Sequence, residues 1–266
     1  MSSNIAKSPH GYLAEFHCHT CRSHDGLTTE EELLRTCVAK CIGLLTITEH
    51  DRVPDVDVRR FQDAGVHVIA GCEFTCERGS HIIGLFIRDG LEMGRSAHRI
   101  FQHILDQGGL IMIPHPFKPG SGFCTLYPDH RQYMSQVSLM EAYNGGLHQE
   151  DERVSEIRAL CSDYDIRLVA ASDAHKANHV GYYVTAYPEL AQDDWRATLR
   201  VVQGTLLVDS AYARKPRSLT PIQENQVYQE VIVRVPSAVK QFIKRSLYRW
   251  RNRHYEPSVP RYVTLP

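Results

Sequence analysis

Short apolar runs alternate with helical patterns along residues 12–203, and acidic residues or histidines cluster at the ends of those runs. The runs fall at 12–17, 42–48, 66–71, 81–87, 110–113, 137–142 and 166–171, and the helical patterns at 29–40, 97–107, 150–163 and 193–203. This alternation calls for strands joined by crossover helices, and so for a parallel sheet or an α/β barrel. Thr28 or Thr29 is placed to cap the first helix, with Glu30, Glu31 and Glu32 in its first turn, where negative charge suits the helix dipole.

The run ends carry the chemistry. His17, His19 and Asp25 follow the first run, Thr48-Glu49-His50-Asp51 the second, and Gly71-Cys72-Glu73 the third. His81 opens the fourth, Pro114-His115-Pro116 closes the fifth, and Ser172-Asp173-Ala174-His175 closes the last. In an α/β barrel the carboxyl ends of parallel strands converge on one rim, so these groups are expected to meet. Side chains alternate along a strand, so His17 and His19 point to one face. Imidazoles joined by carboxylates make a hard-to-borderline metal site suited to zinc, manganese or iron. Carboxylates able to bridge two ions point to a multinuclear site, the kind that hydrolyses phosphate esters. Fifteen histidines in 266 residues give the pattern ample material.

The strings FHCHTCRSHDG, TITEHD, GCEF, HIIGLF, IPHPF, EAYNG and ASDAH, in that order over about residues 12–190, resemble the PHP (polymerase and histidinol phosphatase) domain family, in its small stand-alone phosphoesterase form. The resemblance implies an α/β fold, a distorted (β/α)7, TIM-like barrel with a metal cluster at its C-terminal rim. It makes His17 and His19 ligands of one ion, Asp25 and His50 of a second, and His81 and His115 of a third. Glu73 then bridges two ions, and Asp173 and His175 complete a set holding two to three manganese, iron or zinc ions. Glu49 stands where the family usually has Asp, and His24 is an extra residue before Asp25.

The expected function is a hydrolase of phosphoric esters, acting on small phosphomonoesters or nucleotides by attack of a metal-bound hydroxide on phosphorus. No catalytic group beyond the metal ligands is expected. Arg22, Lys118, Lys176 and His179 are candidates to hold a substrate phosphate. Two other readings stay open. One is a 3'-5' or 5'-3' exonuclease or phosphodiesterase on single strands, and the other a non-catalytic, metal-bound regulatory module.

Charge divides the chain, with a net −9 before position 214 and +8 from there on. Residues 1–213 are therefore read as the phosphoesterase domain, and 214–266 as a basic linker and helical tail. An acidic body argues against gripping nucleic acid over its whole face. In the tail, Val235, Val239, Phe242, Ile243, Leu247 and Trp250 follow helical spacing, with Lys240, Lys244, Arg245, Arg249 and Arg251 mostly between them. Such a helix can cap the acidic body, bind nucleic acid or lie on an anionic membrane. The eight cysteines are expected as reduced thiols, and the start of the chain has no apolar core for a signal peptide, so a cytoplasmic location is expected.

Overall fold

The computed structural model describes residues 5–147, 151–190, 194–213 and 237–266. The expected linker residues 214–217, together with Val235 and Pro236, lie outside the described residues. Ten strands are present: β1 (Tyr12–Cys18), β2 (Ile42–His50), β3 (His67–Thr75), β4 (His81–Leu85), β5 (Leu110–Ile113), β6 (Val137–Asn144), β7 (Arg167–Ala171), β8 (Tyr183–Tyr187), β9 (Thr205–Asp209) and β10 (Tyr262–Thr264). The longer helices are α1 (Glu30–Ala39), α2 (Val58–Asp63), α3 (Ala97–Asp106), α5 (Asp151–Tyr164), α6 (Trp195–Val201) and α8 (Ser237–Arg251). Short helices α4 (Phe123–Leu126) and α7 (Ser210–Ala213) and 3-10 turns at His130–Gln136 and Ala177–His179 complete the order of the described residues. Thr29 caps α1 in a reciprocal capping box with Glu32, so the sequence signature at that helix start is realised.

All ten strands join one sheet in the order β10-β9-β8-β1-β2-β3-β4-β5-β6-β7. The β1–β2, β2–β3, β5–β6 and β6–β7 pairs are parallel, and the other five are antiparallel. The sheet is thus mixed, where the alternation of runs and helices alone suggests parallel strands. β4 runs against both neighbours because only the tight turn over residues 76–80 separates it from β3, too short for the crossover a parallel return needs. β8–β10 add three strands that the sequence reading did not anticipate.

The sheet curls until its edge strand β7 returns to β1. Cys18 and Ala174 form a parallel bridge, with His19 N–H donating to Ala174 O at 2.8 Å and Ala174 N–H to His17 O at 3.2 Å. Inside the curl, Ala14, Phe16, Leu44, Ile69, Ile83, Met112, Leu139 and Val169 pack together, one or more from each of β1–β7. Tyr187 and Trp195 join that cluster beside Tyr12, at the end of the curl away from His17. Leu33, Leu34 and Cys37 of α1 and Phe61 of α2 cover the outer face of β2.

Below the bridge the seam is sealed by a side chain. Glu15, fully buried, accepts Ser172 N–H at 2.9 Å and His17 N–H at 3.2 Å on Oε1, and Gly181 N–H at 2.9 Å on Oε2. Replacing Glu15 with Ala leaves three buried donors unsatisfied. At roughly 1–3 kcal/mol each, the expected loss is about 3 kcal/mol or more, read from the denaturation midpoint. Burial outweighs the donors and pushes the Glu15 carboxyl from 4.5 up to about 7. Its protonated form is therefore the one folding favours. That contribution is whole below pH 4.5 and is lost as pH climbs through about 7. The stability of the protein relative to a Glu15→Gln variant is expected to fall as pH rises from about 5 to about 8.

The tail helix α8 lies on the body through its polar face. Arg245 donates to Ser23 O at 2.8 Å, and the buried Tyr248 hydroxyl accepts Ala177 N–H at 3.1 Å. Val239, Phe242, Ile243, Leu247 and Trp250 remain exposed. The partners that α8 meets are the polar loops after β1 and β7, so hydrogen-bonding residues rather than aliphatic ones face inward. No helix of the described residues is long and apolar enough to cross a membrane.

Candidate metal centre at the rim of the sheet

A bulge brings the first two histidines to the rim. The β1–β2 register shifts between Glu15 and Cys18, so Phe16 fills the interior while His17 and His19, the next in line, face the rim above it. Cys18, between them, points into the outer cluster with Leu33 and Cys37. Asp25 follows in a loop held by Gly26, where a Cβ would lie 1.9 Å from Thr20 O. β3 delivers Glu73, and the reversal of β4 returns His81 to the same rim from the start of a strand. His115 and Asp173, just past β5 and β7, both sit in the left-handed region at φ 29° and 48°. Such strain at a strand end is characteristic of residues aimed for function.

These residues form three groups whose ligand atoms lie within 4.8 Å of one another: His17, His19 and Asp173; His19, Asp25, His50 and His175; and Glu73, His81 and His115. All nine residues singled out in the sequence thus converge. Glu73 lies between groups. Its Oε2 is 3.3 Å from His17 Nε2, 3.2 Å from His19 Nε2 and 3.4 Å from His50 Nδ1. Its Oε1 is 2.8 Å from His81 Nδ1 and 3.3 Å from His115 Nε2. Asp25 Oδ2 lies 3.0 Å from His175 Nε2 and 3.3 Å from His50 Nε2. Asp173 Oδ1 lies 3.5 Å from His17 Nε2 and 3.6 Å from His175 Nδ1.

The donor set fits divalent ions. Six imidazoles and three carboxylates offer only nitrogen and oxygen, suited to zinc, manganese or iron. His17 Nε2 and His19 Nε2 face each other at 3.2 Å across Glu73 Oε2, and Asp25 Oδ1 and His115 Nδ1 are buried without a hydrogen-bond partner. The electrostatics call for positive charge. Burial pushes the Glu73 carboxyl up, but His17, His81 and His115 together hold it well below the usual range. Burial likewise works against Asp25, yet hydrogen bonds from His175 and His50 keep it ionised. At His19 burial prevails over the Glu73 bond and pulls the imidazole down to about 4, keeping its lone pair available near neutral pH.

Two buried acids support the cluster. Glu141 was not foreseen: its Oε1 lies 2.8 Å from His17 Nδ1, while its Oε2 accepts His115 N–H and Asn144 Nδ2–H, each at 2.7 Å. It thus holds the His17 proton on Nδ1 and leaves Nε2 for a metal. Its place in the run 137–142 was visible, but its partner 124 residues away was not. Glu49 belongs to none of the three groups. Its carboxylate accepts both Thr20 N–H and the Thr20 hydroxyl, and also the Ser23 hydroxyl, whose oxygen lies 3.3 Å from His19 Nδ1.

The four candidate phosphate-holding residues are dispersed. Lys118 Nζ reaches Asp173 Oδ2 at 3.6 Å. Arg22 pairs with Glu30 at 3.7 Å, and His179 stacks on Tyr182. Lys176 is exposed and lines a cavity of about 460 Å³ with Lys244, Tyr248 and Asn252 of the tail. His24 is largely exposed, with Nε2 3.9 Å from Asp25 Oδ2.

Residues 15–212 match the model of the PHP domain. Over 97 residues, 36% of this chain and 56% of the relative, the sequence is 31% identical to an uncharacterized protein of Methanocaldococcus jannaschii. The chain thus spans little more than half the length of that relative. Among solved structures it is similar to a two-domain protein of Bacteroides vulgatus described as containing a predicted PHP-like metal-dependent phosphoesterase, with a TM-score of 0.57 and 19% identity over 76% of this chain and 66% of that one. It is also similar to the lesion-specific endonuclease EndoQ of Pyrococcus furiosus, with a TM-score of 0.55 and 17% identity over 72% of this chain and 56% of that one. At these identities the solved structures speak for the fold.

Proposed function

The chain belongs to the PHP domain family, and from that premise we propose that it is a metal-dependent phosphoesterase whose substrates are small phosphomonoesters or nucleotides. The observation that carries the reading is Glu73, whose two oxygens face different histidine groups and so join them into one multinuclear site. In this reading β1–β7 form the ring of a distorted (β/α)7 barrel. Its nine rim residues would hold two to three manganese, iron or zinc ions. Ions in such a site neutralise phosphoryl oxygens and acidify the water that attacks phosphorus.

The protein's own groups do the rest. Glu141 fixes the His17 ring and its tautomer, and Glu49 fixes the loop of Thr20 and Ser23 behind His19. Lys118, beside Asp173 at 3.6 Å, supplies a cation that can orient a phosphoryl oxygen at the rim. The interior cluster beneath the rim keeps the floor of the site dry. No covalent phosphoenzyme is required.

The test is phosphate release, with added manganese, from a panel of phosphomonoesters and short oligonucleotides, beside a His17→Ala control. Turnover of monoesters that both chelator and the substitution abolish is the expected result. Shortened oligonucleotides without monoester turnover would transfer the reading to a nuclease. Inactivity on every substrate, in protein shown to carry its metals, would leave a non-catalytic metal-bound module.

A further inference from the structure

The helix α8 divides its surface unusually. Inward, Arg245 donates to Ser23 O at 2.8 Å, Lys244 Nζ lies 3.5 Å from Asp25 O, and Tyr248 is buried against Ala177. Outward, Val239, Phe242, Ile243, Leu247 and Trp250 form one mostly apolar face that includes Ser246, with Phe242 71% and Trp250 63% exposed. At helical spacing, Val239, Ile243 and Trp250 lie opposite the inward residues, with Phe242 and Leu247 on either side. Exposed cations border this stripe: Arg249 on one flank, and Arg253, whose guanidinium lies 5.8 Å from the Trp250 ring, just beyond the helix.

We propose that the outer face of α8 is an interfacial membrane anchor that docks the protein on an anionic lipid surface. An apolar stripe flanked by cations is what the boundary between headgroups and acyl chains accepts: the stripe enters the hydrocarbon while lysines and arginines reach back to the lipid phosphates. Charge supports the same occupant. The −9 of residues 1–213 repels an anionic surface while the +6 of residues 237–266 is drawn to it, so the protein approaches with α8 foremost. Nucleic acid fits less well, because a strand needs cations at the centre of the contact and here the centre, Val239, Ile243 and Trp250, carries none. A second copy fits less well too. One helix about 22 Å long and about 10 Å wide offers less than the roughly 800 Å² per partner of a stable interface.

The test is co-sedimentation of the full chain with vesicles of phosphatidylcholine alone, or with about a third phosphatidylglycerol. The protein is expected to partition onto the anionic vesicles, less so at high salt. Trp250 reports the event: Trp195 is already buried, so a blue shift in emission on vesicle addition belongs to Trp250. A Phe242→Asp, Trp250→Asp double variant should lose at least about tenfold in partitioning, with its circular dichroism and phosphate release unchanged. Three results would overturn the proposal: no preference for anionic vesicles; equal partitioning of the double variant; or retention on single-stranded oligonucleotides, or a dimer in solution, that the same substitutions abolish while vesicle binding is absent.

Discussion

Glu73→Gln is expected to lower phosphate release by at least about a thousandfold, roughly 4 kcal/mol of barrier, while the protein stays folded. The carboxylate is buried, and its two oxygens face His17, His19 and His50 on one side and His81 and His115 on the other. A glutamine keeps the shape but halves the acceptor capacity and removes the negative charge. Repulsion between neighbouring cations would then go uncompensated, and metal content measured on the purified variant should drop below that of the parent. Thermal unfolding separates loss of chemistry from loss of fold. Activity within tenfold of the parent would remove Glu73 from the reacting centre and with it the main support for a multinuclear site.

Glu141→Gln is expected to weaken metal binding about 10–100-fold, although Glu141 touches no proposed ion. One oxygen lies beside His17 Nδ1, and the other accepts from both His115 N–H and Asn144. An amide can satisfy only one side. If its oxygen serves His115 and Asn144, its NH2 meets His17 Nδ1, and the imidazole must move its proton to Nε2, the nitrogen that faces Glu73 and Asp173. The lone pair needed for coordination is then lost. Metal titration by calorimetry measures the affinity, and nitrogen NMR shifts of the His17 ring report the tautomer. A variant with altered affinity but an unchanged tautomer would make Glu141 a merely structural residue.

These two acids show where the sequence is informative and where it is silent. The positions of the strand-end histidines and carboxylates follow from local pattern, because each lies where an apolar run stops. The H-x-H of His17 and His19 needs only the alternation of a strand, corrected by one bulge. Glu141 and Glu15 are different: each is an isolated acid inside a buried strand, and its partners lie across the sheet. Strand direction is also illegible, since HIIGLF reads the same whether β4 runs up or down, and only the short turn before it decides. At α8 periodicity marks an apolar face but not its direction, because the hydrogen bonds to Ser23 and Ala177 belong to loops far away in the chain.

The return of β7 to β1 also separates the three histidine groups in the order they can come into being. Glu73, His81 and His115 lie within one stretch of chain, on β3 and β4 and just past β5, which are neighbours in the sheet. The other two groups join residues 17–50 to residues 173–175, so neither is whole until the bridge of Cys18 to Ala174 has formed. Closing so long a loop carries an entropic cost that local pairing avoids. A nascent chain can therefore present one cation-binding group early and the other two only after the ring shuts. Metal uptake is then expected to be stepwise, its last step following the closure of the curl.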